Sequence, residues 1–514
     1  MAAFSARDLR NIEAAPPTPA NAEERKNPHA ERLSALTQSL ASRAAPALSG
    51  VVLEGLLRIA EFVLIMATGF LVHWLHVAPS HGYNLAYVIA IPLIALSSVI
   101  TFQALKIYKV NTLRAITSES TRIMMGWTFV FLMALATLFF LKLDGAYSRL
   151  WLFAWYLSGL AALMAERALV AAVISHLTQT GRLARRTVIV GGGPAADVLL
   201  TELAKPGQTD LQILGIFDDR TDERSPDMVA GFPKLGTVDD LVEFARHTRL
   251  DLVIFTLPIT AEQRLLQMLR KLWILPVDIR LAAHMNKLRF RPHAYSYIGS
   301  VPVFDVFDKP IADWDVVLKT LFDKITGIIC LIVLAPFMLL VALSIKFDSK
   351  GPVLFKQKRY GFNNELIEVY KFRSMYVERL DATAKKLVTR NDPRVTRVGR
   401  FIRKTSLDEL PQLFNVVFKG NLSLVGPRPH AVHAKAAERQ YDEVVDGYFA
   451  RHRVRPGMTG WAQIHGWRGE TDTPEKIQHR VEHDLHYIEN WSILLDLYIL
   501  FMTPLALLKT DNAY

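Results

Sequence analysis

The sequence predicts a membrane α/β protein of 514 residues. Its expected parts are a four-helix transmembrane N-terminal unit, a doubly wound α/β middle domain, and a C-terminal domain anchored by a Pro-broken re-entrant helix. Three observations predict this. Four apolar runs lie near 55–77, 84–106, 123–142 and 150–175, each long enough to cross a bilayer, which takes ~20 residues. A strand then enters the glycine-rich turn Gly191-Gly192-Gly193. A fifth apolar run, Ile325 to Ile345, carries Pro336 near its centre.

Residues 1–50 are rich in Ala, Pro, Glu and Arg and lack a long apolar core. They read as a disordered cytoplasmic tail rather than a cleavable signal. The four spans occupy 51–178, where Glu61 and Glu166 interrupt the first and the last. An acid inside a span is costly and faces a helix partner or an interface, so both read as packing or boundary residues. Arg7, Arg10, Arg25, Lys26, Arg32 and Arg43 precede the first span; Lys106, Lys109, Arg114 and Arg122 follow the second; Arg182, Arg185 and Arg186 follow the fourth. The loop His76 to Asn84 has no Lys or Arg. The positive-inside rule therefore puts both ends of this unit in the cytoplasm. Lys142 and Arg149 on the opposite side weaken the bias without reversing it. Cys330 is the only cysteine, which excludes an intrachain disulfide and a cysteine metal framework.

From 183 to 310, apolar strands at Arg186–Val190, Gln212–Phe217 and Leu252–Leu257 alternate with helical stretches. That alternation indicates a parallel, Rossmann-like sheet. Gly191, Gly193 and Ala196 fit a loose G-x-G-x-x-A pattern, with Asp218-Asp219 some twenty residues on. In a working dinucleotide site the helix N-terminus takes pyrophosphate and Asp218 or Asp219 a ribose hydroxyl. A Rossmann-like domain that keeps its tight turn without cofactor chemistry is the favoured reading. Tyr295 and Tyr297 are the only tyrosines between 187 and 310, and neither has Lys four residues later, which counts against a short-chain oxidoreductase. Regulation, ligand sensing or homodimer formation stay open for this domain.

The fifth run decides the architecture of the rest. Pro removes a backbone hydrogen bond and kinks or breaks a helix. Lys319 and Lys324 precede the run, and Lys346, Lys350, Lys356, Lys358 and Arg359 follow it. Two basic ends around a broken centre suit a re-entrant hairpin, 319–346, that returns to the side it entered. An ordinary Pro-kinked span is the alternative. Of the net charge of +11, most sits at 346–404, which holds sixteen Lys or Arg against six Asp or Glu. Such a stretch serves a groove for phosphates, a surface for anionic lipid, or both. No nucleic-acid partner is expected.

Alternation from Leu366 to Phe372 predicts a strand presenting Lys371 and Arg373 on one face. Leu410 to Phe418, closed by Gly420, predicts a helix. Before it stand Ser406-Leu407-Asp408-Glu409, which alone would read as a capping box. Pro427-Arg428-Pro429 offers a guanidinium on a stiff backbone, suited to phosphate. Arg453-Val454-Arg455-Pro456-Gly457-Met458-Thr459-Gly460-Trp461 makes a second turn, and Asp484 adds a carboxylate. Two adjacent acids among cations are what phosphoryl chemistry on an anionic substrate needs: one attacks phosphorus, the other holds a divalent cation.

These blocks, in this order from about 316 to 514, resemble the bacterial sugar transferase family, the monotopic phosphoglycosyl transferases. The whole layout, with a CoA-binding-like middle domain, resembles the long-form undecaprenyl-phosphate hexose phosphotransferases. Asn512-Ala513-Tyr514 resembles the ending of members that transfer glucose 1-phosphate, with galactose the second choice. The resemblance implies that Asp408 attacks the β-phosphate of a UDP-sugar and that undecaprenyl phosphate takes up the phosphosugar, in the bacterial inner membrane with the catalytic domain facing the cytoplasm. It also implies that Glu409 binds Mg²⁺ and that Lys371, Arg403, Arg428 and Asp484 line the site, with Arg455 near phosphate. Ala335 departs from the Ser-Pro that many relatives carry before the helix break.

Overall fold

The computed structural model describes residues 33, 49–82, 84–108, 116–142, 147–179, 183–203, 211–220, 225–257, 261–282, 296–298, 301–377, 392–429, 435–436, 439–440, 448–467 and 473–508. Most of the expected tail, Arg182, Tyr295 and the closing Asn512-Ala513-Tyr514 lie outside them. The chain divides into two compact units, 45–185 and the remainder.

The first unit is a helical bundle of α1 (Gly50–His76), α2 (Leu85–Ala104), α3 (Ile116–Phe140) and α4 (Arg149–Gln179). Side chains cap two of its helix starts: Ser49 accepts from Val52 N, and Asn84 Oδ1 accepts from Ala86 N at 2.9 Å. Its centre is aromatic. Trp127, Trp151 and Trp155 are fully buried, and their indole N–H groups donate to the carbonyls of Tyr156, Gly69 and Ile65. Such bonds are needed where no water competes for backbone acceptors. Glu61 faces inward and pairs with Arg167 across α1 and α4, while Tyr108 donates to it at 2.5 Å. Glu61 is thus a packing residue, and Glu166 lies 3.7 Å from the same arginine.

The second unit opens with a sheet of β1 (Arg185–Val190), β2 (Leu211–Phe217), β3 (Met228–Val229), β4 (Phe232–Gly236), β5 (Leu252–Phe255), β6 (Asp278–Ala282), β7 (Ser296–Ile298) and β8 (Val301–Phe307). The strand order is β3-β4-β2-β1-β5-β6-β8-β7. β1, β5 and β6 pair in parallel, and β8 runs antiparallel to β6. Strand β5 is an unbroken apolar run and β1 ends in one, Val188–Val190, because both faces of this sheet are covered. The covering helices include α5 (Pro194–Leu203), α6 (Val238–His247) and α7 (Glu262–Leu272). Thr237 and Asp240 form a reciprocal capping box at the start of α6.

Helix α8 (Asp313–Asp348) then runs 36 residues without interruption, through Pro336. No loop separates the residues before Pro336 from those after it. Both of its ends bind the same C-terminal fold. Near the start, Lys319 Nζ meets Asp496 at 2.6 Å and the carbonyl of Val425 at 3.0 Å. Near the end, Met338, Val341 and Ile345 pack with Phe372 and Ile402. Ile325, Ile328, Ile329, Ile332, Val333, Leu339, Leu340, Leu343 and Phe347 are exposed, at spacings of three and four that mark one helix face. Among the described residues, the first four helices and α8 make five long and apolar enough to cross a membrane.

The C-terminal fold hangs on a hairpin of β9 (Leu354–Tyr360) and β10 (Leu366–Phe372), with a parallel pair, β11 (Ser423–Val425) and β12 (Gly457–Thr459). Helices α9 (Arg397–Lys404), α10 (Pro474–Glu489) and α11 (Ile493–Leu508) surround them.

Candidate active site

Asp408 and Glu409 share a single 3₁₀ turn, Leu407–Glu409, just after α9. Ser406 enters it in the left-handed region, at φ +58°, and its side chain caps nothing. The capping box allowed by the S-x-x-E spacing therefore does not form. Glu409 turns to cations instead. Its Oε1 accepts from Lys371 Nζ at 2.8 Å and from Arg428 Nη2 at 2.5 Å, and its Oε2 from Arg428 Nη1 at 3.2 Å.

Three elements deliver these groups. Lys371 comes from β10, which Asn415 holds in place: Asn415 Nδ2 donates to the Glu368 carbonyl at 2.7 Å, and Tyr370 N donates to Asn415 Oδ1 at 2.9 Å. Asn415 opens the π-helix Asn415–Lys419, a turn type that gathers at functional sites. Gly420 closes it in the left-handed region, as the sequence predicts. Arg428 rides on the loop after β11. Gly426 and Gly457 let that loop abut the next: a Cβ on Gly457 would stand 2.0 Å from Gly426 N. Backbone bonds close the gap, Gly426 N to Thr459 O and Gly457 N to Pro427 O, both 2.9 Å.

The two acids are unlike. Burial opposes the charge of Glu409, but Arg428 and Lys371 outweigh it and hold this carboxyl below the usual carboxylate range. Asp408 is half-buried. Burial raises it above that range, opposed first by Lys371, with Glu409 pushing the same way as burial and Arg403 and Arg428 against it. Among the described residues no side chain hydrogen-bonds to Asp408. One acid is neutralised, and its neighbour stays uncommitted.

Other expected residues are placed differently. Arg373 is buried, and its guanidinium donates to the carbonyls of Lys350 and Ser349 at 2.6 and 2.8 Å. It caps the C-terminal end of α8, where the helix dipole favours a cation. Asp484 is buried against Arg451 at 2.6 Å, and Arg451 Nη2 donates to the Arg428 carbonyl at 2.7 Å. Asp484 thus reaches the site through Arg451. The cleft beside Glu409 is lined by Arg359, Val369, Lys371, Gln412, Arg428, Pro429, Gly457 and Met458. Arg455 is not among them; its carbonyl lies against Gly426. Sequence reasoning missed Arg359, whose Nη1 donates to the Pro429 carbonyl at 2.7 Å, and Arg451. Arg359 sits in the basic run without distinction, and Arg451 in a 3₁₀ segment without periodic pattern.

The glycine turn of the middle domain is filled from within. Asp218 Oδ2 accepts from Gly192 N at 2.7 Å, and Arg220 grips both Asp218 and the Gly192 carbonyl. Burial opposes the charge on Asp218, but Arg220 and the backbone N–H groups prevail and lower its pKa. Gly191 and Gly193 have φ of +101° and +90°. An opening of about 400 Å³ in this domain is lined by Asp219, Gln263, Arg264, Gln267, Met268 and Lys271 rather than by the turn.

The profile of the "Bacterial sugar transferase" family matches residues 314–510, and that of the "CoA-binding domain" family matches 103–283. A UDP-glucose:undecaprenyl-phosphate glucose-1-phosphate transferase from Xanthomonas campestris pv. campestris is 33% identical over 468 residues, covering 89% of this chain and 94% of that protein. The chain belongs to the bacterial sugar transferase family. An undecaprenyl-phosphate glucose phosphotransferase from Komagataeibacter xylinus is 40% identical to this sugar transferase over 361 residues, 70% of the chain and 66% of that protein. An exopolysaccharide production protein PSS from Rhizobium leguminosarum bv. phaseoli is 50% identical over 200 residues, 39% of the chain and 100% of that protein.

Proposed function

We propose that this enzyme transfers glucose 1-phosphate from UDP-glucose to undecaprenyl phosphate, initiating an exopolysaccharide repeat unit. The observation that carries the reading is the division of labour between Asp408 and Glu409. A carboxylate is a competent nucleophile at neutral pH when its charge is not consumed by a partner. Asp408 attacks the β-phosphorus, the bond from that phosphorus to the bridging oxygen breaks, and UMP leaves. A phosphate oxygen of the lipid then attacks the same phosphorus and frees Asp408. Arg428, Lys371 and Arg403 offset charge on the diphosphate during in-line displacement. The cleft beside Glu409 is small, about 10 Å³, and Arg428 and Lys371 line it next to that acid.

Mg²⁺ fits one oxygen of this set. Glu409 Oε1 carries two short contacts, whereas Oε2 carries, among the described residues, the 3.2 Å contact from Arg428 alone. No group of three His, Cys, Asp or Glu converges among the described residues, which suits an ion that takes one or two carboxylates and fills its shell from phosphate and water. Held by Glu409, Mg²⁺ would shield the diphosphate's negative charge.

The binding of both ends of α8 to one fold supports insertion from a single face of the bacterial inner membrane, with the catalytic residues on the cytoplasmic side. A cysteine label near residue 350 then reacts only from the cytoplasm, and periplasmic labelling rules that topology out. For the chemistry, membranes given radiolabelled UDP-glucose and UDP-galactose should pass label to lipid from the former. Without lipid acceptor, a phosphosugar adduct should accumulate on Asp408. Adduct on another side chain, or none, removes this mechanism.

A further inference from the structure

We infer that the last turn of α6, in the middle domain, positions the phosphate-binding arginine of the C-terminal domain; this rests on the reaction proposed above. Two guanidiniums grip the loop that carries Arg428. Arg451 donates to the Arg428 carbonyl at 2.7 Å, and Arg359 donates to the next carbonyl, of Pro429, also at 2.7 Å. The two donors come from different segments. Arg451 belongs to the 3₁₀ helix Tyr448–Arg453, and Arg359 to β9.

Both segments end on the same turn of α6. At the tip of the β9–β10 hairpin, Asn363 sits at φ +51° and its Nδ2 donates to the Ala245 carbonyl at 2.7 Å. That carbonyl is one of the last four of α6, which have no partner within the helix. One residue on, the Arg246 guanidinium lies 4.8 Å above the ring of Phe449, in the 3₁₀ helix. The surroundings are closely packed. Arg451 is fully buried with Asp484, His452 is buried among Tyr360, Tyr448 and Phe449, and Arg453 Nη2 donates to the Asp308 carbonyl beyond β8 at 3.1 Å. Trp273, at the end of α7, is buried in the core of the C-terminal domain.

Residues 245 and 246 therefore fix the hairpin and the 3₁₀ helix relative to each other. Through Arg359 and Arg451 they set where Arg428 stands against Glu409. The hairpin also carries Lys371, so the same anchor serves the second cation on that acid. Arg246 and Asn363 are positioning residues, and neither touches the acids. Displacements of about 1 Å at a reacting centre can cost on the order of a hundredfold in rate. Loss of one of two anchors should cost about tenfold.

The test uses the full chain in membranes depleted of polyprenyl phosphate and given UDP-glucose, following adduct formation on Asp408 and UMP release. Arg246→Ala and Asn363→Ala should each slow adduct formation about tenfold while the final adduct per folded molecule stays at the unsubstituted level. Arg246→Lys should recover part of the rate, because an ammonium also binds an aromatic face. Glu243→Ala, exposed on the same helix, should match the unsubstituted protein. Rates within twofold for both alanine variants overturn the inference. So does a loss of adduct amplitude at unchanged rate, the mark of a misfolded fraction. No adduct in the unsubstituted protein would instead remove the underlying reaction.

Discussion

The glycine turn of the middle domain and the acidic turn of the C-terminal domain hold the same ingredients: adjacent acids, arginine and tightly bent backbone. They use them in opposite ways. Asp218 spends its carboxylate on Gly192 N and on Arg220, so donor, acceptor and cation cancel. At the other turn, Lys371 and Arg428 converge on Glu409, and among the described residues no side chain bonds Asp408. Motifs announce ingredients, but function follows from which group stays uncommitted after the fold has satisfied the others. A carboxylate that is chelated and hydrogen-bonded has little basicity left for a substrate, whereas one raised by burial beside cations is poised to react.

The largest expected effect falls on that uncommitted group. Asp408→Asn keeps the shape and removes the nucleophile, and UMP release should drop by about a thousandfold or more. Retention of a tenth of the activity would end the contrast between the two turns. Next comes Arg428→Lys. It preserves charge but loses the forked contact with both oxygens of Glu409, which an ammonium cannot reproduce. Turnover should fall on the order of tenfold, and UDP-glucose saturation measured alongside would show whether binding or chemistry suffers. An unchanged rate would mean that Arg428 only neutralises charge.

Much of this arrangement was legible in the chain. Strand β10 spans the residues its alternation predicts, and the parallel core of the sheet follows from apolar runs punctuated by glycine. The placements that failed depend on distant partners. Alternation puts Lys371 and Arg373 on one face, yet β10 ends at Phe372, and Arg373 is drawn to the end of α8 by unpaired carbonyls at 349 and 350. Pro336 lies inside the helix Asp313–Asp348 with no loop beside it; the pyrrolidine ring removes one hydrogen bond, and the packing of Met338, Val341 and Ile345 holds the following turns. Asp484 stands near the right residues in sequence but is satisfied by Arg451, which no periodicity marks.

A smaller effect tests the silent turn. Asp218→Asn should remove the charge that balances Arg220 and weaken its bond from Gly192 N. A hydrogen bond to a charged group contributes about 1.5–3 kcal/mol, so unfolding should become easier by about that amount. UMP release should stay within twofold, since nothing in the turn reaches the acids. A tenfold fall in turnover without loss of folded protein would make the turn part of the catalytic machinery, and the two regions would no longer differ in kind.

The smallest effect concerns His452, beside the anchor of Arg428. Burial, then Arg451 and Arg246, push its imidazole well below the usual range. Folding therefore holds it neutral while the unfolded chain protonates near pH 6.5. Below that pH the unfolded state binds the extra proton, so stability falls as acidity rises, by up to about 1.4 kcal/mol per pH unit from this residue. Asp484 contributes with the opposite sign, because burial raises it despite Arg451 and Arg480; its stabilising share is present at low pH and is lost as pH climbs through the raised value. The contribution of His452 is isolated by difference. His452→Phe keeps a ring among Tyr360, Tyr448 and Phe449 and cannot titrate, so between pH 6.5 and 5 its denaturation midpoint should decline less steeply than that of the unsubstituted protein. Parallel declines would mean that this imidazole accepts its proton in the folded state, and the packing around Arg451 would then be looser than the buried ring implies.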